Sequence, residues 1–289
     1  MGLVTRLKMG LVLTKDSLLV IRHHPKLMLF PVLSGVAGLI FLTLFLGITF
    51  GLMQISPEGG VLLGLLVVYL VLTFVSTFFT AALVHQTREV FDGKPVSIRE
   101  GMNAAWGVKG PIFVWSLIAA TVGVIINSLE NSDSSAARIL GTLFGLAWTI
   151  LTFFIVPVIV FERPTVGEMF KRSGGLFKDT WGETPISLVA INIIGFIVVI
   201  PFALLGIAFI FTEATAAIIL GIAIILFGML LSFLLSQTLQ GVVKTSLYVY
   251  ATEGKTPDEF GNVDFDDLPS EQDRSGGAQS NPRMGGGFH

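Results

Sequence analysis

Six stretches of this chain contain no charged residue and are long enough to cross a bilayer: residues 27–53, 61–84, 111–129, 139–160, 185–211 and 214–237. Roughly 20 apolar residues span the hydrocarbon of a membrane as a helix, and only helices or closed barrels satisfy their backbone groups there. The runs are too long and too uniformly apolar for the alternating strands of a barrel. The expected fold is therefore all-α and polytopic, with six transmembrane helices. Composition agrees, since 53% of the residues are hydrophobic and only 13% are charged, about half the charge of a soluble domain. The first run exceeds the apolar core of a secretory leader and lacks a small-residue cleavage site, so the N-terminus is expected to stay on the protein.

The joints between runs repeat a short grammar. Asp92–Glu100, Glu162–Glu168 and Glu253–Glu259 each follow an apolar run and bring an acid, a base, a proline and a Ser/Thr-x-x-Glu. The last element pairs Ser97 with Glu100, Thr165 with Glu168 and Thr256 with Glu259, and it reads as a capping box that opens a new helix. After the first two copies come amphipathic stretches. One sets Ile98, Met102, Ala105 and Trp106 against Arg99, Glu100 and Asn103; the other sets Val166, Met169, Phe170 and Phe177 against Glu168, Lys171, Arg172 and Lys178. These are expected as interfacial helices, and the six spans as three hairpins.

Residues 1–26 carry Leu3, Leu7, Leu11 and Leu18 among Arg6, Lys8, Lys15 and Arg22, which suits an N-terminal amphipathic helix in the headgroup layer. The six-span domain then covers 27–252, its last helix extending to 250, and Pro201 falls in the middle of the fifth span. Beyond it, residues 253–289 form an acidic tail rich in Gly, Ser, Asn and Pro, expected to be mostly disordered.

Lys and Arg are retained on the cytoplasmic side of membrane proteins. Of the 18 bases, the N-terminal segment holds five, and the 85–110 connection, the 161–184 connection and the region from Lys244 hold four each; Arg138 alone falls on the opposite side. Both termini are therefore expected in the cytoplasm, with the interfacial helices on that side of the cell membrane.

Charges buried in a span mark transport paths or active sites, because they are costly there. None lies deep in these runs, so neither a nucleophile with its base nor a carboxylate pair can be assembled at membrane depth. The chain is expected not to be an enzyme. With no cysteine and four histidines lacking metal-ligand spacing, neither cofactor nor metal is expected. A net charge of -2 gives no basic surface for nucleic acid.

The candidate site is a set of neutral polar residues toward the cytoplasmic half: Thr73, Thr77 and Thr80 in the second span, Asn192 in the fifth, and Gln237 and Gln240 in the sixth. Either they line a shallow cavity or they hydrogen-bond between helices, each such bond worth about 0.6 kcal/mol. The expected partners are membrane lipids, with a second copy of the chain or a protein reached through the acidic tail. A non-enzymatic membrane scaffold or complex subunit is the leading functional expectation. The alternative is a transporter or permease-like subunit for a small neutral or lipidic substrate.

Lys15-Asp16-Ser17 followed by His24-Pro25-Lys26-Leu27-Met28-Leu29-Phe30-Pro31-Val32-Leu33-Ser34 resembles the opening of an uncharacterised family of six-span prokaryotic integral membrane proteins, known only as a domain of unknown function. The resemblance covers about residues 5–260. More loosely, the repeated hairpins are similar to the membrane domain of glycerophosphodiester phosphodiesterases. The chain lacks the soluble catalytic barrel of those enzymes, so the resemblance implies neither their activity nor any functional residue.

Overall fold

The computed structural model describes residues 3–55, 57–179, 183–212, 214–254 and 259–260, and within them every regular element is helical. In chain order these are α1 (Leu3–His23), a 3-10 helix (Pro25–Met28), α2 (Leu29–Ile55), α3 (Pro57–Phe91), α4 (Ile98–Gly107), α5 (Lys109–Glu130), α6 (Ser135–Thr152), α7 (Ile155–Glu162), α8 (Val166–Asp179), α9 (Glu183–Ile210) and α10 (Thr215–Glu253). Six helical stretches are long and apolar enough to cross a membrane, one for each uncharged run. In sequence order, α2 packs on α3, α5 on α6 and α9 on α10, and α3 touches both α5 and α10.

Burial is graded along these helices. α3 has 35 residues and α10 has 39, far more than a bilayer requires, so each extends past the end where the bases gather. There the core forms. Leu83 and Val90 of α3 and Leu239, Val243 and Leu247 of α10 are buried with Val20 of α1, Ile155 and Ile159 of α7, and Met169 and Leu176 of α8. Toward the opposite end large apolar side chains stand exposed, among them Leu44 and Phe50 of α2, Leu143 of α6, Phe196 of α9 and Phe227 of α10.

Three local features depart from the sequence expectation. The fourth run is two helices, because α6 stops at Thr152 and α7 begins at Ile155. At this break the backbone N–H of Phe154 donates to the hydroxyl of Ser173 on α8 at 3.1 Å, with both residues fully buried. A buried N–H must find an acceptor, so α8 supplies the one that α6 no longer does. Ser173→Ala is expected to lower stability by about 1–2 kcal/mol, while Ser173→Thr keeps the hydroxyl. Thermal unfolding of the two variants in detergent checks this, and equal melting temperatures would overturn it.

α1 packs along α9 and α10 through Leu13, Thr14, Asp16, Ser17, Val20 and Ile21, all buried. The side chains of Leu3, Leu7 and Leu11, three of the four leucines of the expected apolar stripe, lie outside the described residues, and Leu18 is half-buried.

Each of the two described capping boxes forms by one half only. At α8 the Glu168 carboxylate accepts from the Thr165 N–H at 2.8 Å and the Thr165 hydroxyl at 2.6 Å, and these bonds hold its pKa below the ordinary 4.5. A lowered folded-state pKa adds stability above the unfolded-state pKa, and that stability is lost as pH falls through the folded value. Thus Glu168→Gln is expected to lower the melting temperature at pH 7, with the gap closing in a titration from 4.5 downward. At α4 the Ser97 hydroxyl accepts from Glu100 N–H at 3.4 Å, but the Ser97 N–H goes to Gln86 of α3 at 2.6 Å. Thr256 of the third box lies outside the described residues.

Candidate functional site

The second and third of the repeated joints, distant in sequence, meet at one cavity, and the first is tied to it through Asp92. Its volume is about 760 Å³, and its wall comes from the ends of α3, α4, α7, α8 and α10. Arg88 of α3 forms a fork with Glu253, one arm at 3.1 Å, and pairs with Asp92 at 3.4 Å, so the first joint is tied to the third. Glu162 of the second joint accepts from Arg172 of α8 at 3.0 Å and from the Tyr248 hydroxyl of α10 at 2.8 Å. Glu89 is held by Lys94 at 2.7 Å, and that hydrogen bond raises the ammonium pKa above its ordinary value.

Every acid in the wall is thus engaged by a cation. The two remaining basic side chains are His85, whose ring lies 3.5 Å from the Gln86 amide, and Arg163. The Arg163 guanidinium makes no hydrogen bond or ion pair among the described residues, and it reaches across to the last turn of α4, where a Cβ on Gly107 would lie 3.9 Å from it. An arginine fork is a strong ligand for an oxyanion, and here one is left to offer. Among the described residues no three His, Asp or Glu gather closely enough to hold a metal.

A second, smaller groove of about 410 Å³ runs between α2, α3 and α10. Its wall is mostly apolar, with Ser34, Ser76, Thr80 and Gln237 as its polar points. Two of the six expected site residues, Thr80 and Gln237, therefore meet. Thr77 is buried, Thr73 and Gln240 are half-buried, and none of these three lines either cavity. Asn192 is exposed on α9 and lines neither cavity, because its neighbours Ile191 and Gly195 take the inward positions, Gly195 against Ser232 and Ser236.

What the sequence reading left out is the charged cavity itself. Glu162, Arg163 and Glu253 stand in the joints and Arg88 just before the first, and nothing in their order along the chain pairs them. The signal was the repetition: three joints of like chemistry on one side of the spans can converge, and opposite charges from different joints then pair. Asp16, fully buried in α1, was missed for a different reason. It stands among Lys and Arg in a segment that reads as an interfacial helix.

No curated protein and no solved structure matches the chain. A family model does, over residues 58–258, which take in every residue lining the charged cavity but not the Lys15–Ser34 stretch. The chain belongs to DUF6159, a family of unknown function.

Proposed function

We propose that the chain is a non-enzymatic multi-pass protein of the cell membrane, built as three hairpins with both termini in the cytoplasm, that acts as a scaffold or complex subunit. The observation that carries this reading is the gradient of burial. A packed layer at the base-rich end is the part with a defined surface, whereas the far halves of the helices offer isolated apolar faces suited to lipid. α4 and α8 lie in that layer as interfacial helices, and Trp106, exposed with Lys109 over its ring at 4.2 Å, sits at headgroup depth. The acidic sequence that follows Glu253 supplies negative charge for a basic protein partner. The test is native mass spectrometry of the full chain extracted in mild detergent. Retained lipid together with a partner or second copy is the expected result, and a lone monomer carrying nothing overturns the reading.

The 410 Å³ groove supports a second reading, a permease-like subunit for a small neutral or lipidic substrate, because Thr80 and Gln237 put polar points into an apolar cleft. Flux into proteoliposomes tests it: Thr80→Val with Gln237→Leu should abolish transport, and an unchanged rate would remove the reading.

A further inference from the structure

We propose that the charged cavity binds a phosphate-bearing ligand and that Arg163 is the residue that grips it. The three joints provide their own internal comparison. Each passes through a left-handed backbone position directly after its acid: Gly93 at φ 75°, Arg163 at φ 49° and Gly254 at φ 63°. Glycine takes that conformation freely, whereas any other residue brings a Cβ against the backbone. Two copies use glycine as expected for the residue that ends a helix. The middle copy uses arginine, the only non-glycine residue with positive φ among those described.

A strained conformation points to function when nothing local compensates it. Here nothing does, since no carboxylate or hydrogen-bond acceptor among the described residues engages the Arg163 guanidinium. The charges of the cavity say what is missing. Arg88 pairs with Glu253 and Asp92, Arg172 with Glu162, and Lys94 with Glu89, so Arg163 is the one arginine of the wall with no ion pair among the described residues. A ligand with an accessible anionic group supplies the partner that this guanidinium lacks.

Phosphate is favoured over a bare carboxylate by position. α4 contributes Ala104 and its C-cap Val108 to the wall, and between them stands the exposed Trp106 with Lys109 over its ring, which on the interfacial reading proposed above puts the cavity at the depth of lipid phosphates. A volume of about 760 Å³ accommodates the phosphate and the group attached to it. The phosphodiester of an anionic lipid and a soluble phosphate share this chemistry.

The experiment uses the full chain, delipidated in detergent, with two probes: inorganic phosphate and a water-soluble short-chain phosphatidylglycerol. Wild type is expected to bind at least one probe saturably. Binding of the lipid that excess inorganic phosphate does not displace assigns the site to headgroups, and competition assigns it to soluble phosphate. Arg163→Gly restores the residue used in the other two joints. It is expected to weaken binding at least tenfold while the melting temperature stays level or rises, and Arg163→Lys is expected to fall between. Unchanged affinity in Arg163→Gly overturns the proposal, as does an absence of saturable binding for both probes. A fall in melting temperature together with lost binding also overturns it, by making Arg163 structural. Co-purification of a protein partner is independent of these outcomes, so failure here leaves the scaffold reading standing.

Discussion

Gly221→Val is expected to cost about 3 kcal/mol and to leave little folded protein. α9 and α10 approach so closely that their backbones touch. A Cβ built on Gly206 would lie 2.5 Å from the Gly221 carbonyl oxygen, and one on Gly221 would collide with the carbonyl oxygen of Gly206. The obstacle in both directions is backbone, so no rotamer change relieves it and the helices must part. Overpacking against a yielding side chain costs about 1–3 kcal/mol, and backbone against backbone belongs at the upper end. Without a hydrophobic drive between helices in lipid, close packing of this kind is what holds such a pair, and small residues make it available.

The same seam continues through Gly228, whose Cβ would meet the Phe202 side chain, and Gly195, whose Cβ would lie 2.8 Å from the Ser236 hydroxyl. There Ser232 already donates to the Gly195 carbonyl at 2.8 Å. Gly47 provides the control, because a Cβ there meets nothing within 4 Å. Gly221→Val should unfold in detergent at a far lower temperature than wild type, and Gly47→Val should not. Equal melting temperatures for the two variants would mean that the contact contributes nothing.

This pair also shows where the sequence was legible and where it was not. The six helices could be read because an uncharged run of such length has no other stable fate in lipid, and each observed helix falls on its run. Glycine spacing was a poorer guide. Of the small-xxx-small pairs, Gly141/Gly145 does mark a close approach, with a Cβ on Gly141 3.0 Å from the Glu130 backbone nitrogen, whereas Gly47 and Gly51 face open space. The tightest backbone approach, between Gly206 and Gly221, carries no such pattern, because the two lie on different helices and no periodicity within one helix reveals a contact between two.

The break at Phe153–Phe154 was hidden for a related reason. Phenylalanine and isoleucine continue a helix as readily as they end one, and the acceptor that permits the break, Ser173, comes from another element. Of the candidate site, the polar residues of the spans were visible because they stand out against an apolar background. The charged cavity was not, because at a membrane boundary charges are ordinary until their partners are known. Tyr248 and Glu162 are separated by most of the second half of the chain, and only the fold makes them a pair.

Gln86→Leu is expected to cost about 2 kcal/mol, whereas Glu100→Gln, at the residue that the capping pattern singles out, should be near neutral. In a capping box the glutamate returns to the backbone N–H of the N-cap residue. Here Gln86 has taken that role from a different helix. Its Oε1 accepts from the Ser97 N–H at 2.6 Å, and the side chain is fully buried, while Glu100 remains exposed. Gln86 also packs against α4 at its tightest point, where a Cβ on Gly101 would come within 2.8 Å of Gln86 Cγ and 2.9 Å of the Phe30 ring. Leucine keeps most of that volume but removes the acceptor, so the measured loss reports chiefly the orphaned N–H, which costs about 1–3 kcal/mol in a buried setting. Because the bond joins α3 to the start of α4, its loss should also loosen the wall of the charged cavity that α4 forms. Hydrogen exchange at Ser97 and thermal unfolding read the two effects separately. If Glu100→Gln proves as costly as Gln86→Leu, the local box rather than the contact between helices holds this corner.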